Sequence, residues 1–270
     1  MMVEVQSITR KKRQYLVTLK IDEKIETFEL SEEIILDYRL VRGKQLDEES
    51  YLYLKERMLH DKYRQKLWHY ASYKPRTVQE ARDYLNQFSM PEKAKAKYIQ
   101  KLMDAHILDD DVYVRNYIDE YSHFRMIGPR KIIFNLIKKG IEKNIIIQYI
   151  GNYDQKLMKE NLRKLIEKKV KSSKNKPLYK AKESIKAYGV NKGYDYDLVQ
   201  EVMEKMMATI LANNDENSAI QKDYDQYVSK FKKSSQSQTL KAYIIPKLMQ
   251  KGYPYHKIIQ LLEGEEAYED

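Results

Sequence analysis

Five histidines (His60, His69, His106, His123 and His256) and the acidic run Asp109-Asp110-Asp111 are the residues whose types could do catalysis or hold a metal. The histidines are dispersed, with no His-Glu-x-x-His spacing or other metal-ligand pairing, and each reads as a surface or helix-end residue. Three consecutive carboxylates could gather a divalent cation. The same run, however, opens an apolar-periodic segment, and a helix N-terminus attracts negative charge through its dipole. The chain has no cysteine, which removes thiol catalysis, disulfides and Cys-ligated zinc together. Nor does it carry a Gly-rich phosphate loop, a Gly-x-Ser-x-Gly elbow or a dinucleotide fingerprint. These residues predict a non-enzyme with no cofactor and no metal.

The chemistry that remains is electrostatic. Lys and Arg number 50 against 40 Asp and Glu, a formal charge of +10, which suits nucleic acid, an acidic protein surface or anionic lipid. The basic residues gather at recurring places. Lys168, Lys169 and Lys171 precede Lys174 and Lys176, and Lys230, Lys232 and Lys233 form a second cluster. Both follow a long helical pattern and run into the next loop. Arg125, Arg130, Lys131, Lys138 and Lys139 flank the matching junction one unit earlier, and Arg76 and Arg82 are the candidates before that. Recurrence at one structural position predicts a basic stripe for an acidic partner. The bland alternative is that the helix dipole favours lysine near C-termini.

The elements that must position these residues are mostly helical. Gly and Pro are scarce, at 8 and 6 residues, which favours helices with short connections. The start of the chain differs: Val3 to Ile8, Tyr15 to Leu19 and Lys24 to Leu30 alternate or are β-branched and predict a three-stranded antiparallel meander. Ser31 then caps a short helix, Glu32 to Asp37. Thr77-Val78-Gln79-Glu80 and Ser89-Met90-Pro91-Glu92 read as capping boxes. Trp68, Tyr117, Tyr121, Tyr224 and Tyr227 are expected to pack inside, whereas Tyr194, Tyr196, Tyr253 and Tyr255 sit at junctions and are expected to be partly exposed. No stretch approaches a membrane span, and Met1 to Arg13 lacks the apolar run of a signal peptide. A cytoplasmic protein is expected.

Internal repetition organises the rest. The stripe Val114, Tyr117, Ile118, Tyr121 returns 110 residues later as Tyr224, Tyr227, Val228, Phe231. Ile132, Ile133, Leu136, Ile137 and Gly140 then match Ile244, Ile245, Leu248, Met249 and Gly252, and Lys192-Gly193-Tyr194 supplies a third Lys-Gly stop. The glycine suits the left-handed residue just past a helix end. Each unit is a long helix, a medium helix, a Lys-Gly-apolar stop and a short helix. The predicted organisation is residues 1–46 β-rich, four helical repeats at 47–107, 108–152, 153–213 and 214–264, and an acidic tail at 265–270. Such units cannot bury their apolar faces alone, so a mainly α, elongated and curved array is expected.

Leu108-Asp109-Asp110-Asp111, Tyr113, Tyr117-Ile118, Gly128-Pro129-Arg130, Leu136 and Lys139-Gly140-Ile141, in that order, resemble the central signature of the RecX family. Arg76 to Leu85 is similar to that family's first-repeat segment, and the N-terminal strands and extra C-terminal repeat look like its longer Gram-positive members. Ser89 in place of a first-unit glycine, and Gly189 ahead of Gly193, depart from the pattern. The resemblance implies a regulator, usually an inhibitor, of the RecA recombinase, and a monomer is expected. Its partners would be the RecA–single-stranded DNA filament and, weakly and without sequence preference, single- or double-stranded DNA. A plain DNA-binding protein that competes for single strands is the alternative, and a metal-dependent nuclease using Asp109 to Asp111 is a more distant one.

Overall fold

The computed structural model describes residues 1–12, 14–173, 176–233 and 239–269, the last five by backbone alone. Two compact units divide the chain: Met1–Tyr113 with Lys139–Ile141, and Val114–Lys138 with Glu142–Asp270.

The first unit opens with strands β1 (Val3–Lys11), β2 (Gln14–Ile21) and β3 (Lys24–Leu30), joined by tight turns at which Lys12 and Asp22 have positive φ. Alternation sends Val3, Val5, Val17 and Leu19 to the buried face. Periodicity predicts three strands, but the sheet has four, in the order β3-β2-β1-β4. The fourth, β4 (Gln45–Leu46), follows helix α1 (Glu32–Asp37). A two-residue strand has no alternation to read. It forms because Gly43, at φ 81°, returns the chain beside β1, where Gly43 N–H donates to Val5 O and Val5 N–H to Lys44 O. Ser31 occupies the α1 N-cap position, but its buried hydroxyl makes no capping bond.

Helix α2 (Glu48–Tyr73), capped by Asp47, is 26 residues long and serves two cores. Tyr51 and Leu54 join the sheet core, whereas Leu67 and Ala71 pack with α3 (Val78–Leu85) and α4 (Glu92–Asp104). Trp68 is 50% exposed and is not a core residue. It follows Leu67 by one position, about 100° round the helix from the buried stripe. The capping box at α3 forms, Thr77 Oγ1 accepting from Glu80 N–H and Glu80 accepting from Thr77 N–H. The one expected at Ser89 does not. Pro91 is itself the N-cap of α4, so the serine lies too far upstream to reach the first turn.

Three more sets of helices follow: α5 (Asp110–His123), α6 (Pro129–Lys138) and α7 (Lys143–Ile150); α8 (Gln155–Lys171), α9 (Leu178–Asn191), α10 (Tyr196–Lys205) and α11 (Met207–Ala212); α12 (Glu216–Lys232), α13 (Leu240–Lys251) and α14 (Tyr255–Glu269). The fold is thus mainly α, with three-helix repeats behind a small antiparallel sheet. Helix α11 is an insertion without a repeat counterpart. The last short helix is instead 15 residues long and continues through residues 265–269, set apart by composition as an acidic tail. Asp270, Arg13 and Lys174 lie outside the described residues.

Gly140, Gly193 and Gly252 all take positive φ, at 78°, 94° and 101°. The chain turns back after each, so the next residue enters the core. Ile141, Tyr194 and Tyr253 are all buried. Partial exposure, expected at these junctions, therefore holds for Tyr196 and Tyr255 and fails for Tyr194 and Tyr253. The Tyr194 hydroxyl donates to Met126 O and lies 3.3 Å from the Tyr153 hydroxyl, which accepts from Asn161 Nδ2. Tyr253 donates to Asp223 at 2.9 Å.

Candidate partner-binding surface

The acidic run serves structure. Asp109 Oδ1 accepts from Val112 N–H and caps its own helix, whereas Asp110 Oδ1 accepts at 2.9 Å from Val78 N–H, in the first turn of α3. Burial pushes the Asp110 carboxyl above its usual range, and Asp109 and Asp111 add to this against the Val78 N–H. Among the described residues, no three His, Asp or Glu side chains are grouped to hold a metal ion.

The Lys-Gly stops are joints. In the first unit, Thr77 Oγ1 donates to Lys139 O at 2.9 Å, and Lys139 Nζ reaches Glu80 at 2.7 Å. A Cβ on Gly140 would stand 2.4 Å from Gln79 Cβ. In the second unit, Gly128 N–H donates to Lys192 O and Arg130 N–H to Gly193 O, while Arg130 pairs with Asp195. Further on, Lys180 Nζ donates to Gln250 O, and a Cβ on Gly252 would stand 3.3 Å from the Lys180 stem. Each time, the start of one repeat's second helix meets the end of the next repeat's second helix. At Gly140 and Gly193 glycine is needed for close approach as well as for φ, and at Gly252 for φ.

The carboxylates of these joints recur too. As Asp110 serves α3, so Glu216, the first residue of α12, accepts from Leu178 N–H at the start of α9 and from Lys257. Burial opposes ionisation of Glu80, but Lys139, the Thr77 N–H and Arg76 outweigh it and hold that carboxyl below its usual range.

Against this frame of contacts the basic residues separate. Lys168 and Lys171 are exposed on the last turn of α8, and Lys230, Lys232 and Lys233 are exposed at the end of α12. Lys176 is exposed beyond α8. Lys169 is half-buried, its ammonium 5.5 Å from the centre of the Tyr188 ring. Lys192 approaches the same ring at 5.7 Å and so joins the α8 cluster. Sequence reasoning assigned Lys192 to the helix stop and missed this, because only folding brings the α9 terminus to the α8 terminus.

The remaining candidates divide between open and committed. Arg82, Arg125, Arg130, Lys131 and Lys138 are exposed, with Arg125 near Glu120, Arg130 paired with Asp195 and Lys131 donating to Asn191 O. Arg76 stacks at 4.0 Å over Tyr70, and Lys139 is held by Glu80 and lies over Tyr113. Those two are tied into the fold.

Comparison with known proteins places these features. The family model described as "RecX, third three-helix domain" matches residues 159–203, across α8, α9 and α10. A "Regulatory protein RecX" of Listeria monocytogenes serotype 4b (strain CLIP80459) is 30% identical over 251 residues, covering 93% of this chain and 92% of the relative. Its namesake in Oceanobacillus iheyensis is 26% identical over 237 residues, 87% of this chain and 86% of that one. Among solved structures, a crystal structure of a regulatory protein RecX superimposes with a TM-score of 0.63 at 22% identity, over 75% of this chain and 99% of that chain. The crystal structure of RecX from Lactobacillus salivarius gives 0.51 at 27% identity, over 56% of this chain and 97% of that chain.

Proposed function

The chain belongs to the RecX family of regulatory proteins, and from that premise we propose that it binds the RecA–single-stranded DNA filament and lowers RecA's recombinase and coprotease activities. The carrying observation is the likeness to named regulators along 93% of the chain. Helix-end lysines support it physically. Lys168 and Lys171 on α8, and Lys230, Lys232 and Lys233 on α12, recur at matching places and stand free of the joints. They suit filament phosphates or acidic RecA surface, and such contacts add affinity without reading sequence. Arg82, Arg125, Lys131, Lys138, Lys176 and Lys192 extend the same surface. Regulation of this kind needs no turnover and no cofactor, and its setting is the cytoplasm.

The test is a filament assay with the cognate RecA, following DNA-dependent ATP hydrolysis and strand exchange. Inhibition at substoichiometric protein is expected, and absence of effect at equimolar protein would sink the proposal. The same lysine clusters favour a second reading, competition for naked single strands. That reading predicts tight binding to free DNA and inhibition relieved by excess DNA.

A further inference from the structure

Helix α6 buries Ile132 and Leu136 on one side. The opposite side carries Arg130, Phe134 and Lys138 at i, i+4 and i+8, all neighbours on a helix surface, with Ile137 beside them. Phe134 is 65% exposed and Ile137 47%. An exposed apolar side chain is ordinary by itself. The internal repeats make this one informative.

The position of Phe134 falls on Ala187 in α9 and on Pro246 in α13, and both are exposed. A fold that accepts alanine, or even a proline inside the helix, at this place draws no stability from a phenylalanine there. The flanking positions change as well. Arg130 corresponds to Glu183 and Ala242, and Lys138 to Asn191 and Gln250. An aromatic ring between two cations is thus the mark of α6 and is missing from α9 and α13.

We infer that the outer face of α6 docks an acidic protein segment with an apolar anchor. The anchor rests on Phe134 and Ile137, and its carboxylates face Lys131 and Lys138. Charge complementarity argues for that chemistry: residues 125–139 hold five basic residues and no Asp or Glu. Arg125, Arg130 and Lys139 face Glu120, Asp195 and Glu80. Lys138, by contrast, is exposed beside Phe134, and Lys131, three residues before Phe134, bonds only a backbone carbonyl, Asn191 O, among the described residues. The aliphatic neighbour argues for protein over nucleic acid, because isoleucine offers no ring on which a base can stack. Aromatic residues, phenylalanine among them, are enriched at the cores of protein interfaces, where binding energy concentrates. The inference rests on the function proposed above in taking the filament as the partner, and it places a RecA contact on α6.

Fluorescently labelled full-length chain is titrated with RecA filaments on an oligonucleotide, and separately with the same oligonucleotide bare. Phe134→Gln is expected to weaken filament binding by about 30-fold or more, with bare-DNA affinity, helical circular dichroism and melting unchanged. Ala187→Gln, the same change one repeat on, is expected to alter neither affinity. Wild-type filament affinity in Phe134→Gln overturns this inference alone. An equal loss on bare DNA also overturns it and makes the face a nucleic-acid contact. A wild-type chain that ignores the filament overturns the proposed function, and this inference with it.

Discussion

Gly128 and Gly193 meet backbone to backbone: a Cβ on Gly128 would lie 2.3 Å from the Gly193 carbonyl carbon, and one on Gly193 would lie 2.4 Å from Lys131 Cβ. Neither obstruction is the far end of a flexible side chain, so relief requires the helices to separate. Gly128→Ala should cost about 3 kcal/mol, the upper end of overpacking effects. Gly193→Ala should cost more, because its φ of 94° adds about 1–2 kcal/mol of left-handed strain. Gly151→Ala is the control, since nothing lies within 4 Å of the added carbon. Urea unfolding midpoints measure all three, and equal midpoints would remove the joint from the account of stability.

Thr77 is fully buried and makes two bonds through one hydroxyl, accepting from Glu80 N–H and donating to Lys139 O. Thr77→Ala loses a cap worth about 1 kcal/mol and leaves the Lys139 carbonyl short of a partner, for about 1–3 kcal/mol more. Thr77→Ser keeps both bonds and should lose only the methyl contribution. The separation between the two variants in thermal unfolding is the measurement.

The Glu80–Lys139 pair predicts a pH dependence. The Glu80 carboxyl is held below its ordinary value of 4.5 in the folded chain. Its contribution to stability is therefore present above that value and lost as pH falls through the lower, folded one. Lys139 is shifted up from 10.5, Glu80 and Tyr113 outweighing the opposing effect of burial. Its contribution is present below 10.5 and lost as pH rises through the folded value. Lys139→Met should be less stable than wild type at neutral pH, and the gap should narrow in acid. A gap constant from pH 7 to pH 2 would show that packing, and not the ion pair, carries the effect.

Lys168 and Lys171 are exposed on α8 without a role in the joints. Lys168→Gln with Lys171→Gln should weaken filament binding while leaving the helical signal intact. If the contacts are to single-strand phosphates, the slope of log affinity against log salt should become shallower by about 1.4, or about 0.7 per charge removed. An unchanged slope with weaker binding would move these lysines onto RecA. Unchanged binding would leave them as solvated surface.

Much of this architecture could be read in the residues. The alternation in Val3 to Leu30, the capping box at Thr77, the negative start of α5 and the three Lys-Gly stops are all local signals. Backbone propensity and side-chain periodicity act within a few residues. For the same reason β4 has no local signature, because Gln45–Leu46 is a strand only by virtue of β1 beside it. Trp68 shows the limit of composition: a large apolar residue in an apolar run faces outward because Leu67 and Ala71 already define the inward stripe.

The mainly helical class, the repeat, the net positive charge and the family resemblance are all legible in the residues, because period, capping chemistry and composition are properties of nearby positions. Tertiary structure decided which basic residues are free. Arg76 and Lys139 look like Lys168 in the sequence, yet one is stacked on Tyr70 and the other held by Glu80. It also decided why the glycines are glycines, since Gly140 and Gly193 each meet a segment some 60 residues away. Whether a charge is spent on the fold or left for a partner depends on what folding brings within about 4 Å of it, and no sequence pattern records that.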